Sequence, residues 1–133
     1  MNGAMNRQRW LLALWLCGMV SIMTLPWSDL QGHAHWSRVS WVPFVAPVDN
    51  VRDVVLNVAV FVPFGFLLSD GRSLNRRLGM LGILGAASLL SGIGEFCQVY
   101  SPSRFPSATD VVSNTLGAAG GAILYTLRRG TGR

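Results

Sequence analysis

The chain has 133 residues, half of them hydrophobic and only 13% charged, with a net charge of +5. An average soluble domain carries about 25% charged residues, so this composition argues against a surface that faces water throughout. Every basic residue is an arginine, and the arginines sit in short clusters between apolar runs, which argues against a nucleic-acid-binding patch and for a membrane-orientation signal.

The length fits one domain over 1–133. A membrane helix needs about 20 mostly apolar residues. The first candidate span covers about 10–27 and follows Arg7 and Arg9. No small-x-small cleavage site comes after it, so it reads as a retained span and not as a signal peptide. It contains Cys17; the other cysteine, Cys97, lies in a later apolar run. Neither belongs to a CxxC or Cys/His cluster, and both read as small packing residues. The segment from Ser28 to Asn50 carries Trp36, Trp41 and Phe44 with Pro43 and Pro47. Tryptophan favours the membrane interface, so this segment is expected along the outer surface. His33 and His35 have no third ligand at metal-binding spacing and read as exposed loop residues.

The second span, 51–69, opens with DVVLN at 53–57 and holds Pro63 in FVPFG, where a missing backbone donor should kink the helix. A basic turn, DGRSLNRR, leads to the third span, about 78–100. The turn SPSRFP leads to the fourth, about 107–127, which contains DVVSN at 110–114. Gly117 and Gly121, beside Ala118 and Ala122, have the small-xxx-small spacing of close-packed membrane helices, as do Gly82 with Ala86 and Ser88 with Gly92. These residues predict that the third and fourth spans pack together. The expected architecture is all-α: a bundle of four transmembrane helices. With both termini cytoplasmic, eight arginines (7, 9, 72, 76, 77, 128, 129, 133) fall inside and three (38, 52, 104) outside, which is the positive-inside bias. The near-identity of DVVLN and DVVSN raises a parallel repeat of two hairpins.

In this topology the second and fourth spans enter the membrane from outside, each starting with D-x-x-x-N. Glu95 lies 17 residues after Leu78, a rise of roughly 25 Å, so it reaches the same outer level, with Gln98 at i+3 and Arg104 in the adjoining turn. Asp53, Asn57, Glu95, Gln98, Arg104, Asp110 and Asn114 are therefore the candidate binding residues of an outward-facing polar pocket, with Arg52 nearby. Intramembrane ionisable groups are costly and usually face a bundle interior or a watery cavity. A local explanation competes. Asn50 with Asp53, and Ser107 with Asp110, have capping-box spacing, and the remaining polar groups can serve as interhelical hydrogen bonds.

The second span resembles the first signature of the VanZ-like family of small membrane proteins. GEFCQVYSPSRFPSATDVVSNTLGAAGG resembles its second: E-x-x-Q, a short turn with Arg, then D-x-x-x-N-x-x-G. WVPF at 41–44 is similar to the Pro-Phe stretch that family carries upstream. The resemblance covers about 41–127 and maps onto Asp53, Asn57, Pro63, Gly65, Glu95, Gln98, Arg104, Asp110, Asn114 and Gly117. It implies a multi-pass protein of the bacterial cytoplasmic (inner) membrane, in a family where some members are linked to low-level teicoplanin resistance and no reaction is firmly implied. Three functions follow as expectations. The first is an envelope protein that binds a polar or anionic lipid head group. The second is a membrane enzyme acting on a lipid-linked substrate, with Glu95 or Asp110 as acid/base group. The third is a transporter or scaffold subunit. The residues favour the first. No metal, cofactor or nucleic acid is called for, and the oligomeric state stays open.

Overall fold

The computed structural model describes residues 2–24, 27–45, 50–69 and 76–131. Among them are four α-helices: α1 (Asn2–Thr24), α2 (Val51–Ser69), α3 (Arg76–Gln98) and α4 (Ala108–Gly130). Two single-turn 3-10 helices, Trp27–Asp29 and Trp36–Arg38, lie between α1 and α2. The described residues contain no β-strand, only an isolated parallel bridge between Ser40 and Ser107. The second helix has the expected bounds. The first begins earlier, so Arg7 and Arg9 ride on its initial turns, and the fourth runs on to Gly130. The basic turn at 70–75 lies outside the described residues.

Local chemistry sets the helix starts. Ser107 is extended, and its hydroxyl accepts the Thr109 amide at 3.1 Å, satisfying one orphan donor of α4. The Asn50 side chain accepts the Arg52 amide at 3.0 Å at the start of α2. Arg128 and Arg129 occupy the last turn of α4, where cations complement the helix dipole. The second helix stays helical through Pro63. Beside the weakened stretch, Trp15 Nε1 of α1 donates to the Val60 carbonyl at 3.0 Å.

Residue pairings give the packing. Gln8 reaches Leu67 and Trp15 reaches Val60, so α1 and α2 are antiparallel. Ser88 meets Thr115 at 3.0 Å and Asn114 meets Ser91, so α3 and α4 are antiparallel too. The parallel pair α2 and α4 is in backbone contact. A Cβ at Gly65 would strike the Ala118 carbonyl, one at Gly117 would strike Val58, and one at Gly121 would strike Val62 and Phe66. The expected packing of α3 on α4 is present, but the glycines of α4 seat it on α2 and not on α3. The α3–α4 contact includes hydroxyl and amide pairs, and Gly92 has nothing within 4 Å of a built Cβ.

A core of Met19, Phe61, Phe64, Ile83, Ala87, Ala118 and Ala122 fills the centre. The distribution around it is inverted relative to a water-soluble helix bundle. Leu14, Val55, Leu89, Leu116 and Leu127 point outward, while Ser91, Thr109, Ser113 and Asn114 are buried. Two helical segments, Val51–Ser69 and Gly79–Gln98, are long and apolar enough to cross a membrane. The fourth helix is less apolar because it carries its polar residues on the inward face. Cys17 is exposed, contrary to its reading as a packing residue, and Cys97 is half-buried; both are free thiols.

The segment before α2 is strapped across the α3–α4 turn. Gln31 N donates to Tyr100 O, His35 N to Val99 O, and Ser40 N to Pro106 O, all at 2.8–2.9 Å. The Arg38 guanidinium donates to the Pro102 carbonyl and lies over the Phe105 ring. Asp29 accepts from the Ser101 hydroxyl and the Ser103 amide, and these bonds, that of Ser101 first, hold its carboxyl below the ordinary aspartate range. His35 is half-buried, not exposed as expected, and its ring meets His33 edge-on at 4.6 Å. Residues 46–49, including Pro47, lie outside the described residues.

Candidate functional site

The helix ends that carry the polar motifs surround a cavity of about 600 Å³. All seven candidate binding residues line it: Asp53 and Asn57 from α2, Glu95 and Gln98 from α3, Arg104 from the turn, Asp110 and Asn114 from α4. Arg52 does not; it is exposed at the start of α2.

The two matching pentapeptides meet in space. The Asn57 amide of the first donates to Asp110 Oδ1 of the second at 2.6 Å. Their remaining members differ. Asn114 is 3% exposed and donates to Ser91 Oγ at 2.7 Å, while Asp53 stands exposed at the rim. Similar sequence therefore occupies unequal surroundings. The Asn114 Oδ1 is buried with no hydrogen-bond partner, an unmet acceptor of the kind that carries a cost of roughly 1–3 kcal/mol.

Glu95 is 9% exposed, and its Oε2 accepts the Ser107 amide at 2.8 Å. The helix start of α4 is thus capped from α3, by a residue 12 positions upstream. Capping-box spacing pointed to Asp110 for this amide; Asp110 instead turns an oxygen to Asn57. Gln98 Nε2 donates to the Met23 carbonyl at 3.2 Å, and an Arg104 amino group approaches the Ile22 carbonyl at 3.4 Å. These contacts close the cavity with the last turn of α1.

That contribution was missed in the sequence, because Met19, Ile22 and Met23 are apolar and offer only side-chain bulk and backbone carbonyls. Ser91 was also missed, although it stands four residues before Glu95 and seven before Gln98, on their helix face. Asp29, which fixes the turn bearing Arg104, gave no signal because its partners are more than 70 residues away. Chemically, the described lining offers three carboxylates (Asp53, Glu95, Asp110), one guanidinium and four side-chain amides (Asn50, Asn57, Gln98, Asn114). Among the described residues no group of three or more His, Cys, Asp or Glu could hold a metal ion.

A family model described as VanZ/LLP1 matches residues 10–129. Protein VanZ from Enterococcus faecium is 31% identical over 122 residues, which cover 90% of this chain and 73% of that protein. No solved structure matches the chain.

Proposed function

The chain belongs to the VanZ/LLP1 family, and on that premise we propose that it is a single-domain protein of the bacterial inner membrane, with four spans and both termini cytoplasmic, whose outward-facing cavity holds the polar head group of an envelope lipid. The arginine bias and the inverted distribution of polar and apolar side chains support the membrane reading. The observation that carries the binding reading is convergence: the seven candidate side chains, from three helices and a turn, line one cavity, and the Asn114 carbonyl is buried there without a partner.

The lining favours a polar group over a purely anionic one. Three carboxylates and the Asn114 carbonyl are acceptors, matched to hydroxyl or ammonium donors. Arg104 supplies the site for a phosphate. A sugar-phosphate or a zwitterionic head group satisfies both. Glu95 and Asp110 each already hold a structural bond, which favours binding over acid/base catalysis by either. Transporter sites usually lie near the midplane, whereas this cavity is at one end of the bundle. Any contribution to glycopeptide (teicoplanin) resistance would act through the bound lipid.

Native mass spectrometry of protein purified with its own membrane lipids tests the reading. The expected result is a retained lipid adduct that Glu95→Gln and Asn114→Ala weaken in folded protein, beside a lowered thermal midpoint from the loss of their bonds to Ser107 and Ser91. Equal adducts in wild type and both variants would overturn it. For topology, single cysteines at Ser103 and Thr131, in a chain whose two native cysteines are replaced by alanine, should label from outside and from inside the cell respectively.

A further inference from the structure

At the other end of the bundle a second recess, of about 530 Å³, opens between the first turns of α1 and the last turns of α2 and α4. Along α4, Asp110 and Arg128 are 18 residues apart, a rise of roughly 27 Å, so the two openings are separated by about the thickness of a bilayer core. Three lining residues of the recess are arginines (Arg7, Arg128 and Arg129) and none of the lining is acidic.

The arginines are arranged on an aromatic base. Phe66 and Tyr125 meet edge to face at 5.4 Å. The Arg128 guanidinium lies 6.0 Å from the Phe66 centroid, and that of Arg129 lies 5.9 Å from Tyr125. A guanidinium on a ring face uses its π surface there and keeps its in-plane donors for an oxygen ligand. Gln8 donates to the Leu67 carbonyl at 3.1 Å and so ties the turn bearing Arg7 to the end of α2. One helical turn deeper than each outer arginine stands an exposed leucine: Leu11 (46%) after Arg7 and Leu124 (51%) before Arg128. These i, i+4 pairs place a cationic group above an apolar one on the same face.

We propose that this recess is a second ligand site, which takes the phosphate of an anionic membrane phospholipid on Arg7, Arg128 and Arg129, with an acyl chain lying along Leu11 and Leu124. The leucines select a lipid over free phosphate, since an inorganic ion has no use for them. Basic pockets between membrane helices on the cytoplasmic side bind anionic head groups by the same chemistry. The site rests on the membrane reading and is independent of the head-group cavity.

The test uses the full chain in phosphatidylcholine nanodiscs, titrated with phosphatidylglycerol or with inorganic phosphate and read by native mass spectrometry and thermal midpoint. Phosphatidylglycerol should displace phosphatidylcholine and raise the midpoint, and phosphate should do neither. The pair R128Q/R129Q should weaken phosphatidylglycerol binding about tenfold or more and remove the rise in midpoint that phosphatidylglycerol gives over phosphatidylcholine alone. Arg52→Gln, exposed at the opposite end and outside the cavity lining, should leave that binding intact. Equal binding of the two lipids, an equal effect of inorganic phosphate, or full retention in R128Q/R129Q would overturn the proposal. If the double variant fails to accumulate, Arg7→Gln, at an exposed position, is read the same way: weakened binding supports the site and undiminished binding overturns it.

Discussion

The two ends of the bundle hold charge in opposite ways. At the cavity, carboxylates and amides are drawn among four helices and fixed by directed bonds: Asn57 to Asp110, Ser107 to Glu95, Asn114 to Ser91. At the recess, exposed guanidinium groups rest on aromatic rings, and the lining carries no opposing carboxylate. The difference follows from desolvation. A polar group taken out of water needs a built partner, and each partner makes the site more rigid. A charge left at the surface keeps its solvent, needs no fixed partner, and acts through a field that salt can screen.

The largest expected effect removes both ends together. Gly117→Val would drive a side chain into the backbone of α2 near Val58 and separate the helices that carry both sites. Overpacking of this kind costs about 1–3 kcal/mol or more. The variant should lose folded yield in a fluorescence-detected size-exclusion assay, and a wild-type profile would contradict the close α2–α4 contact. Asn57→Ala should be next. It leaves the Asp110 carboxylate short of one donor, at a cost of roughly 1–3 kcal/mol. A lowered thermal midpoint with anionic-lipid binding preserved at the recess would show that the ends are energetically separate; loss of both would show that they are coupled.

Salt provides a milder probe. Raising ionic strength from 0.01 to 1 M shortens the screening length from about 30 to about 3 Å. Lipid binding at the exposed arginines should weaken steeply, while the midpoint contribution of the buried Asn57–Asp110 bond should change little. The smallest effect is expected at Asp29. Its carboxyl titrates below the ordinary value because Ser101 and Ser103 bond to the ionised form. The stability it provides is therefore present above the unfolded-state pKa of about 4 and is lost as pH falls through the lower folded value. Asp29→Asn should flatten that acid limb of a thermal-midpoint profile and leave the neutral region nearly unchanged.

Much of this arrangement was legible before folding. Apolar runs near 20 residues marked the four helices, and alternating polarity of the loops put Asp53, Asn57, Glu95, Gln98, Arg104, Asp110 and Asn114 at one level. The contacts of these residues were not legible. Capping spacing pointed Asp110 at its own helix start, but Glu95 takes that amide, because a side chain of the antiparallel neighbour reaches Ser107. Glycine spacing marked a close helix contact and assigned it to α3, whereas the α4 glycines meet α2, since a bare backbone face fits any helix that reaches it. Cys17 reads as core by composition, yet in an inverted bundle the outer face is apolar as well.

The sequence by itself determined the helices, their alternation, and the level at which the polar residues collect, because periodicity, length and charge bias act along the chain. Only the tertiary structure decided that α4 seats on α2, that the two similar pentapeptides bond to each other while Asn114 turns to Ser91, and that the end of α1 closes the cavity. Those choices depend on which backbones come within van der Waals contact and which buried donors find acceptors, and no local stretch of sequence carries that information.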